Sequence, residues 1–323
     1  MPLRRRHLIA ASAAALAVPA VSWANGFPNR PMRIVVPFSA GALTDIIARI
    51  YAEKLAPMLG QPVVVDNRPG AGGVTASQLV LSAPADGHTL LFVSSAHAAN
   101  PALRKSLPYD TERDFSGLAL LASSPSLVVV NSSHPAKHLQ DLIALARQRP
   151  GDLNYGSAGI GSATHLAGEY FRAEARLDMV HVPYRGVQEA VAAVAAEQLD
   201  MAFPPIALAL PLIRAERIRA LAVTSPERVP ALPDMPTVAE AGIPGFDSSI
   251  WYALVMHAGT PRPLMERLAQ KVLSVSDMPD VAERLRSQGL LQDRRTLDAF
   301  DAFIASEIRK LGTLVRNSGI QPE

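Results

Sequence analysis

Short apolar runs, rich in β-branched residues, recur along the chain at 34–38, 63–66, 89–93, 127–130, 179–182, 218–223 and 253–256, and they alternate with longer stretches dominated by Ala and Leu. The runs have the length of strands and the stretches between them keep a helical period, so the pattern predicts an α/β architecture of layered strands and helices. One helix is marked at both ends: Thr44 and Asp45 are placed to cap it, Ile46, Ile47, Ile50 and Leu55 share a face, and Gly60 stops it. Pro263 begins another near Leu264. The stretch 190–196 is nearly all Ala and Val, small enough to lie close on a sheet. The last stretch, 297–315, gathers Phe300, Phe303, Ile304 and Ile308 on one side, the pattern of a docking helix rather than a membrane anchor.

The N-terminus breaks this rhythm. Arg4, Arg5 and Arg6 precede an apolar, Ala-rich run at 8–21, and Ser22-Trp23-Ala24 offers a small-x-small cleavage site. Together they predict a secretory leader over 1–24, removed near Ala24, and a periplasmic mature chain. The run is too short to span a membrane, and no Cys follows it to carry a lipid. The paired arginines also admit twin-arginine export, but the usual preceding hydroxyl residue and the Phe are missing, which favours general secretion. Losing the leader takes Lys plus Arg from 31 to 28 against 29 acidic residues, a net charge of about −1. Nucleic acid and acidic membranes are therefore poor partners. With 0 Cys, thiol chemistry, thiolate metal sites and disulfides are excluded. About 300 residues remain, the upper limit for a single core, so two domains are expected. Trp251 becomes the single tryptophan of the mature chain.

Two loops carry candidate chemistry. In Arg33-Ile-Val-Val-Pro-Phe-Ser-Ala-Gly-Ala-Leu-Thr-Asp45 a strand empties through a small-residue loop into a helix, and Gly156-Ser-Ala-Gly-Ile-Gly-Ser-Ala-Thr-His165 repeats the plan. A helix N-terminus directs free N–H groups and the positive end of its dipole at a bound anion. The first loop is equally readable as a tight turn with no ligand. The second is richer, since Gly159 and Gly161 allow close backbone approach and Ser157, Ser162 and Thr164 offer hydroxyls. Its glycines miss the dinucleotide pattern, with Thr164 where the third Gly belongs. One helix terminus contributes ~0.3–1 kcal/mol to holding a charge, whereas micromolar binding needs ~8 kcal/mol. Several donors and burial of the ligand's apolar body are therefore required.

Other motifs are weaker. His134 and His138 are four apart, but Pro135 lies between them and no third ligand follows, so no metal or cofactor is expected. His165 reads as packing behind the second loop and His181 as a core residue. No Gly-x-Ser-x-Gly elbow is present, which leaves a periplasmic hydrolase as a minor alternative and a soluble carboxylate sensor as another.

Six stretches carry a family resemblance. They are Val36-Pro-Phe-x-x-Gly41 with Asp45 and Ala48-Arg49; Gly60-Gln-x-Val-Val-Val65-x-Asn67-Arg-Pro-Gly70-Ala-Gly-Gly73; Asp86-Gly87-x-Thr89-Leu-Leu91; Pro150-Gly151-x-Leu153-x-Tyr155 running to Gly161-Ser162 and His165; Val182-Pro-Tyr-Arg-Gly186; and Arg219-Ala-Leu-Ala-Val223 leading to Arg228, Leu232-Pro233, Pro236-Thr237, Glu240 and Gly242. In this order, over essentially the whole mature length, they resemble the Bug-type solute receptors of tripartite tricarboxylate transporters.

The resemblance implies a two-domain periplasmic binding protein fold, type II-like, with the ligand cleft between domains and two crossover strands as the hinge. The crossovers are expected near 126–131 and 249–256, giving domain one as 25–125 plus 250–323 and domain two as 126–249. It implies a monomeric receptor without enzymatic activity or cofactor, which takes a dicarboxylate, tricarboxylate or aromatic acid to a membrane permease. Carried over by position, the ligand-binding residues are Ser39, Ala40, Gly41 and Thr44, then Ser94, Ser95 and His97, and from domain two Gly159, Gly161, Ser162 and Thr164 with Asp200 behind. Ala42 departs from the family, which usually has Gly there. Asp45 and Asp200 are each either capping groups or ligand contacts, capping being favoured at Asp45 because a carboxylate repels an anion. Arg185 is either a bidentate carboxylate partner or a surface ion pair.

Overall fold

The computed structural model describes residues 26–160, 162–318 and 321–322, so the leader lies outside the described residues. In chain order the first part contains β1 (Met32–Val36), α1 (Leu43–Leu59), β2 (Val63–Asn67), α2 (Val74–Leu81), β3 (Thr89–Ser94), α3 (Ala96–Leu103) and β4 (Phe115–Pro125). The middle part contains β5 (Leu127–Asn131), α4 (Leu139–Gln148), β6 (Asn154–Ser157), α5 (Ala163–Glu174), β7 (Val180–Pro183), α6 (Val187–Ala195), β8 (Met201–Ala202), α7 (Ile206–Arg214) and β9 (Ile218–Val223). The chain ends with β10 (Ser249–His257), α8 (Arg262–Ser276), α9 (Pro279–Ser287), β11 (Leu291–Gln292) and α10 (Leu297–Ser318).

Two separate sheets result. The first has the order β11-β4-β10-β3-β1-β2 and the second β7-β6-β8-β5-β9. In each, strands linked by crossover helices run parallel, as β1 does with β2 and β3 and β6 with β7 and β8, while β10 and β5 run antiparallel to their neighbours. Both faces of each sheet are covered. Ile34, Val36, Leu254 and Met256 face α1 and α8, whereas Val35, Ala253 and Val255 face α2, α3 and α10. Burial on both faces explains why these strands read as continuous apolar runs.

The longest strand, β4, is missing from the pattern-based reading. Its sequence, Phe-Ser-Gly-Leu-Ala-Leu-Leu-Ala-Ser-Ser-Pro, lacks any β-branched residue and is extended because it pairs along its length with β10. Gly117 within it is a packing requirement: a Cβ there would come within 2.6 Å of the Phe300 ring of α10. The helix read as a docking element does dock, with Phe300 and Ile304 buried on the first sheet. α1 stops at Gly60, in the left-handed conformation, but its N-cap is Ala42 rather than Thr44 or Asp45, which lie inside the first turn.

The lobes are joined twice. The chain leaves the first sheet at β4 and enters the second at β5 through Ser126, and it returns by the segment between β9 and β10. Thr224 ties these passages together. Its hydroxyl accepts the Ser126 N–H at 2.8 Å and donates to the Ser248 carbonyl at 2.8 Å, and its N–H donates to the Ser126 carbonyl at 2.9 Å. α10 adds a third contact between lobes, where Leu166 of α5 packs into the cluster beneath it and the Lys310 ammonium donates to the Asp247 carbonyl.

Candidate functional site

Three helices of the two lobes begin at one cavity of about 350 Å³, lined by Phe38, Ala42, Leu43, Thr44, Ser94, Ser95, Ala96, Ala99, Ser162, Ala163, Leu166, Ile250 and Tyr252. Leu43 and Thr44 open α1, Ser95 and Ala96 open α3, and Ser162 and Ala163 open α5. They converge because parallel strands deliver every following helix to the same sheet edge. The first N–H groups of each helix have no carbonyl a turn earlier to bond.

Thr44 supplies the most telling side chain. It is 6% exposed, it lines the cavity, and its hydroxyl has no hydrogen-bond partner among the described residues. A buried unsatisfied hydroxyl is costly, so a group that accepts or donates there is strongly favoured. Ser94, Ser95 and Ser162 stand on the same wall, while among the described residues no lysine, arginine, aspartate or glutamate lines it. The remaining wall is apolar. Tyr252 is buried in it, which pushes its phenol up to about 12 and keeps it a neutral donor at physiological pH.

The other expected residues fall elsewhere. Ser39, Ala40 and Gly41 are exposed on the turn before α1, where Ser39 accepts the Ala42 N–H. The Asp45 carboxylate is taken up by the protein itself, accepting from Gly41 N at 2.9 Å, Arg49 Nε at 2.9 Å and Asn67 Nδ2 at 3.0 Å. Burial alone would raise its pKa, but the bonds from Arg49, Gly41 and Asn67 together outweigh this and hold it below its ordinary value. Asp45 therefore shapes the loop and does not face the cavity. His97 lies against Tyr109 and Phe115, and burial drives it down to about 4.

In the second lobe, Gly159 takes φ +101, and Thr164 turns its hydroxyl inward to accept the Ala158 N–H at 2.9 Å. Gly161 lies outside the described residues. Arg185 is exposed on the turn between β7 and α6 and is not among the residues of the cavity wall. Asp200 lies at the opposite end of the sheet: it exchanges hydrogen bonds with Asn154 at the start of β6, whereas the cavity lies past that strand's far end. Behind the second loop, Ser157 Oγ is 2.6 Å from His181 Nε2, a nucleophile-to-base distance. Ser157 is completely buried, however, and does not line the cavity.

Sequence reasoning missed the apolar side of the cavity. Ile250 and Tyr252 reach it because alternate residues of β10 point to opposite faces, sending Trp251 the other way. Leu166 and Ala99 arrive from helices whose faces only the packing determines.

A family model described as the tripartite tricarboxylate transporter family receptor, TctC, matches residues 47–320. The chain belongs to the TctC family. Its similarity to the UPF0065 protein in the tcbD-tcbE intergenic region of Pseudomonas sp. (strain P51) is 41% identity over 267 residues, 82% of this chain and 80% of that one. Among solved structures, R. palustris Rpa4515 with adipate is 32% identical, with a TM-score of 0.75 over 92% of this chain and 100% of the other. The periplasmic binding protein BugD is 29% identical, with a TM-score of 0.72 over 92% and 100%. This TctC-family chain thus has the periplasmic binding protein fold that its six sequence stretches imply.

Proposed function

We propose that this protein is a periplasmic receptor that captures a small carboxylate between its lobes and delivers it to the membrane permease of a tripartite tricarboxylate transporter. The lobes serve as domains, 25–125 with 250–323 and 126–249, once the leader has been removed near Ala24. The observation that carries this reading is the buried Thr44 hydroxyl, without a partner among the described residues, at the meeting of three helix N-termini. A carboxylate there is held by neutral donors, and the apolar wall buries the rest of the ligand. Adipate in a 32% identical relative of the same fold supports a carboxylate.

The reaction is binding and release. Closure of the lobes about the crossovers at Ser126 and Ser248 would remove the ligand from water and strengthen each N–H···O contact.

The test is a thermal-shift and calorimetry panel on the mature chain with adipate, malate, citrate and benzoate, with the ligand recovered afterwards. At a thousandfold excess over Kd a ligand adds ~4 kcal/mol. The expected result is a clear rise in Tm with at least one carboxylate, which is recovered unchanged. A panel without any shift, or consumption of the ligand, removes the receptor reading.

A further inference from the structure

The loop between β6 and α5 forms the second-lobe side of the cleft, and the His181 imidazole meets its start. At its start, the Ser157 Oγ accepts the Gly159 N–H at 3.1 Å and lies 2.6 Å from His181 Nε2. The Gly159 carbonyl in turn accepts the Ser162 N–H at 3.1 Å. At its end, the Ser162 Oγ accepts the backbone N–H of His165 at 3.2 Å. The rings of His165 and His181 are stacked, with centroids 3.9 Å apart.

We propose that His181 is a positioning residue for the cleft: through Ser157 it holds the loop in the shape that presents Ser162 and the N-terminus of α5, and it makes that hold sensitive to acid. The proposal rests on the reading of the cleft as the ligand site and adds a regulation of it.

The acid sensitivity follows from what surrounds the pair. From β6 comes Tyr155, whose ring lies 5.0 Å from that of His181 and whose hydroxyl donates to Glu169 at 2.5 Å. From α5 come His165, Glu169 and Arg172. The Glu169 carboxylate, 3.9 Å from His165 Nε2, is already engaged by Tyr155 and Arg172 and so is a poor counter-ion for a new imidazolium. Burial, with the neighbouring ring, pushes His165 down to about 4, and burial lowers His181 as well.

An opened loop returns these rings to water, where an imidazole titrates near ~6.5. Opening therefore takes up protons below that value, so the hold is complete above pH ~6.5 and weakens as pH falls below it. One released imidazole favours the open loop by at most about thirtyfold at pH 5.

Amide hydrogen exchange across residues 158–164, expressed as protection factors at pH 7 and pH 5, tests this without any ligand. Wild-type protection is expected to fall roughly tenfold between the two pH values. His181→Ala is expected to lose about tenfold at pH 7, and Ser157→Ala the same. His181→Gln, whose side-chain amide reaches the position of Nε2 without titrating, restores protection at pH 7 and shows a shallower pH dependence. Wild-type protection in His181→Ala, alanine-like exposure in His181→Gln, or an unchanged pH dependence in His181→Gln overturns the proposal. If His181→Ala does not fold, Ser157→Ala and His181→Gln carry the test. A loop that behaves as expected in a protein that binds no carboxylate would preserve the positioning role and remove the cleft reading instead.

Discussion

Ser126 and Thr224, 98 residues apart, are joined by hydrogen bonds in both directions, the Ser126 N–H donating to the Thr224 hydroxyl at 2.8 Å and the Thr224 N–H to the Ser126 carbonyl at 2.9 Å, with the hydroxyl also 3.1 Å from that carbonyl. Through the same hydroxyl Thr224 reaches the Ser248 carbonyl, so one fully buried side chain holds both passages between the lobes.

Thr224→Val keeps the shape and removes the hydroxyl, which leaves the Ser126 N–H and the Ser248 carbonyl each short of a buried partner. The expected cost is ~2–3 kcal/mol, read in thermal melting as a loss of roughly 4–12 °C at ~2–4 °C per kcal/mol. An unchanged Tm would mean that water or a relaxed backbone replaces the hydroxyl.

Thr44→Val should separate binding from folding. Because the hydroxyl has no partner among the described residues, its removal leaves stability unchanged or slightly raised. A hydrogen bond to a charged ligand is worth ~1.5–3 kcal/mol, so calorimetry should show affinity falling roughly 10- to 100-fold. A variant that melts earlier but binds normally would place Thr44 in the fold and not in the site.

Asp45 links acid stability to the first loop. Its pKa is lower in the folded protein than in the unfolded chain, so its contribution is complete above the unfolded value near ~3.9 and is lost as pH falls below it. Asp45→Asn should therefore melt earlier at pH 7, and the gap from wild type should narrow as the pH is taken from 5 to 3. Parallel pH curves would show that the carboxylate charge is immaterial to the loop.

Gly117→Ala tests the seat of α10. The added methyl must displace the Phe300 ring, with an expected cost of ~1–3 kcal/mol. Trp251 packs edge-on to the same ring, 6.0 Å away, and its indole N–H donates to Glu307, so its emission should shift with the displacement. Since Trp251 faces α10 and not the cleft, its fluorescence reports packing at the crossover rather than ligand contact. A wild-type Tm and emission spectrum would show that the helix yields freely.

Much of the α/β order was legible because buried strands need unbroken apolar runs and helices need period and punctuation. All seven runs read from the sequence overlap strands of the structure, and Gly60 ends α1 where it should. β4 was not legible, since Leu, Ala, Ser and Gly carry no strand preference and its extension comes from β10, more than a hundred residues later. β8 and β11, two residues each, are too short for periodicity to register, and β6, Asn-Tyr-Gly-Ser, carries no apolar run.

The candidate site divides in the same way. The small, hydroxyl-bearing loops before α1 and α5 announce helix N-termini by local chemistry alone, and with them Thr44 and Ser162. Whether a residue on such a loop faces the cavity depends on which way the chain turns after the strand and on what meets it from the other lobe. Asp45 turns inward to Arg49 and Asn67, and Asp200 sits at the opposite end of its sheet.

By itself the sequence determined the alternation of layers, the small-residue loops that open α1 and α5 and membership of the TctC family, because these depend on neighbours within a few residues or on order along the chain. Only the tertiary structure decided that three helix ends share one cavity, that Ile250 and Tyr252 line it, and that Thr224 binds the two passages. Those facts require register between strands and packing between segments far apart in the chain, which no local pattern encodes.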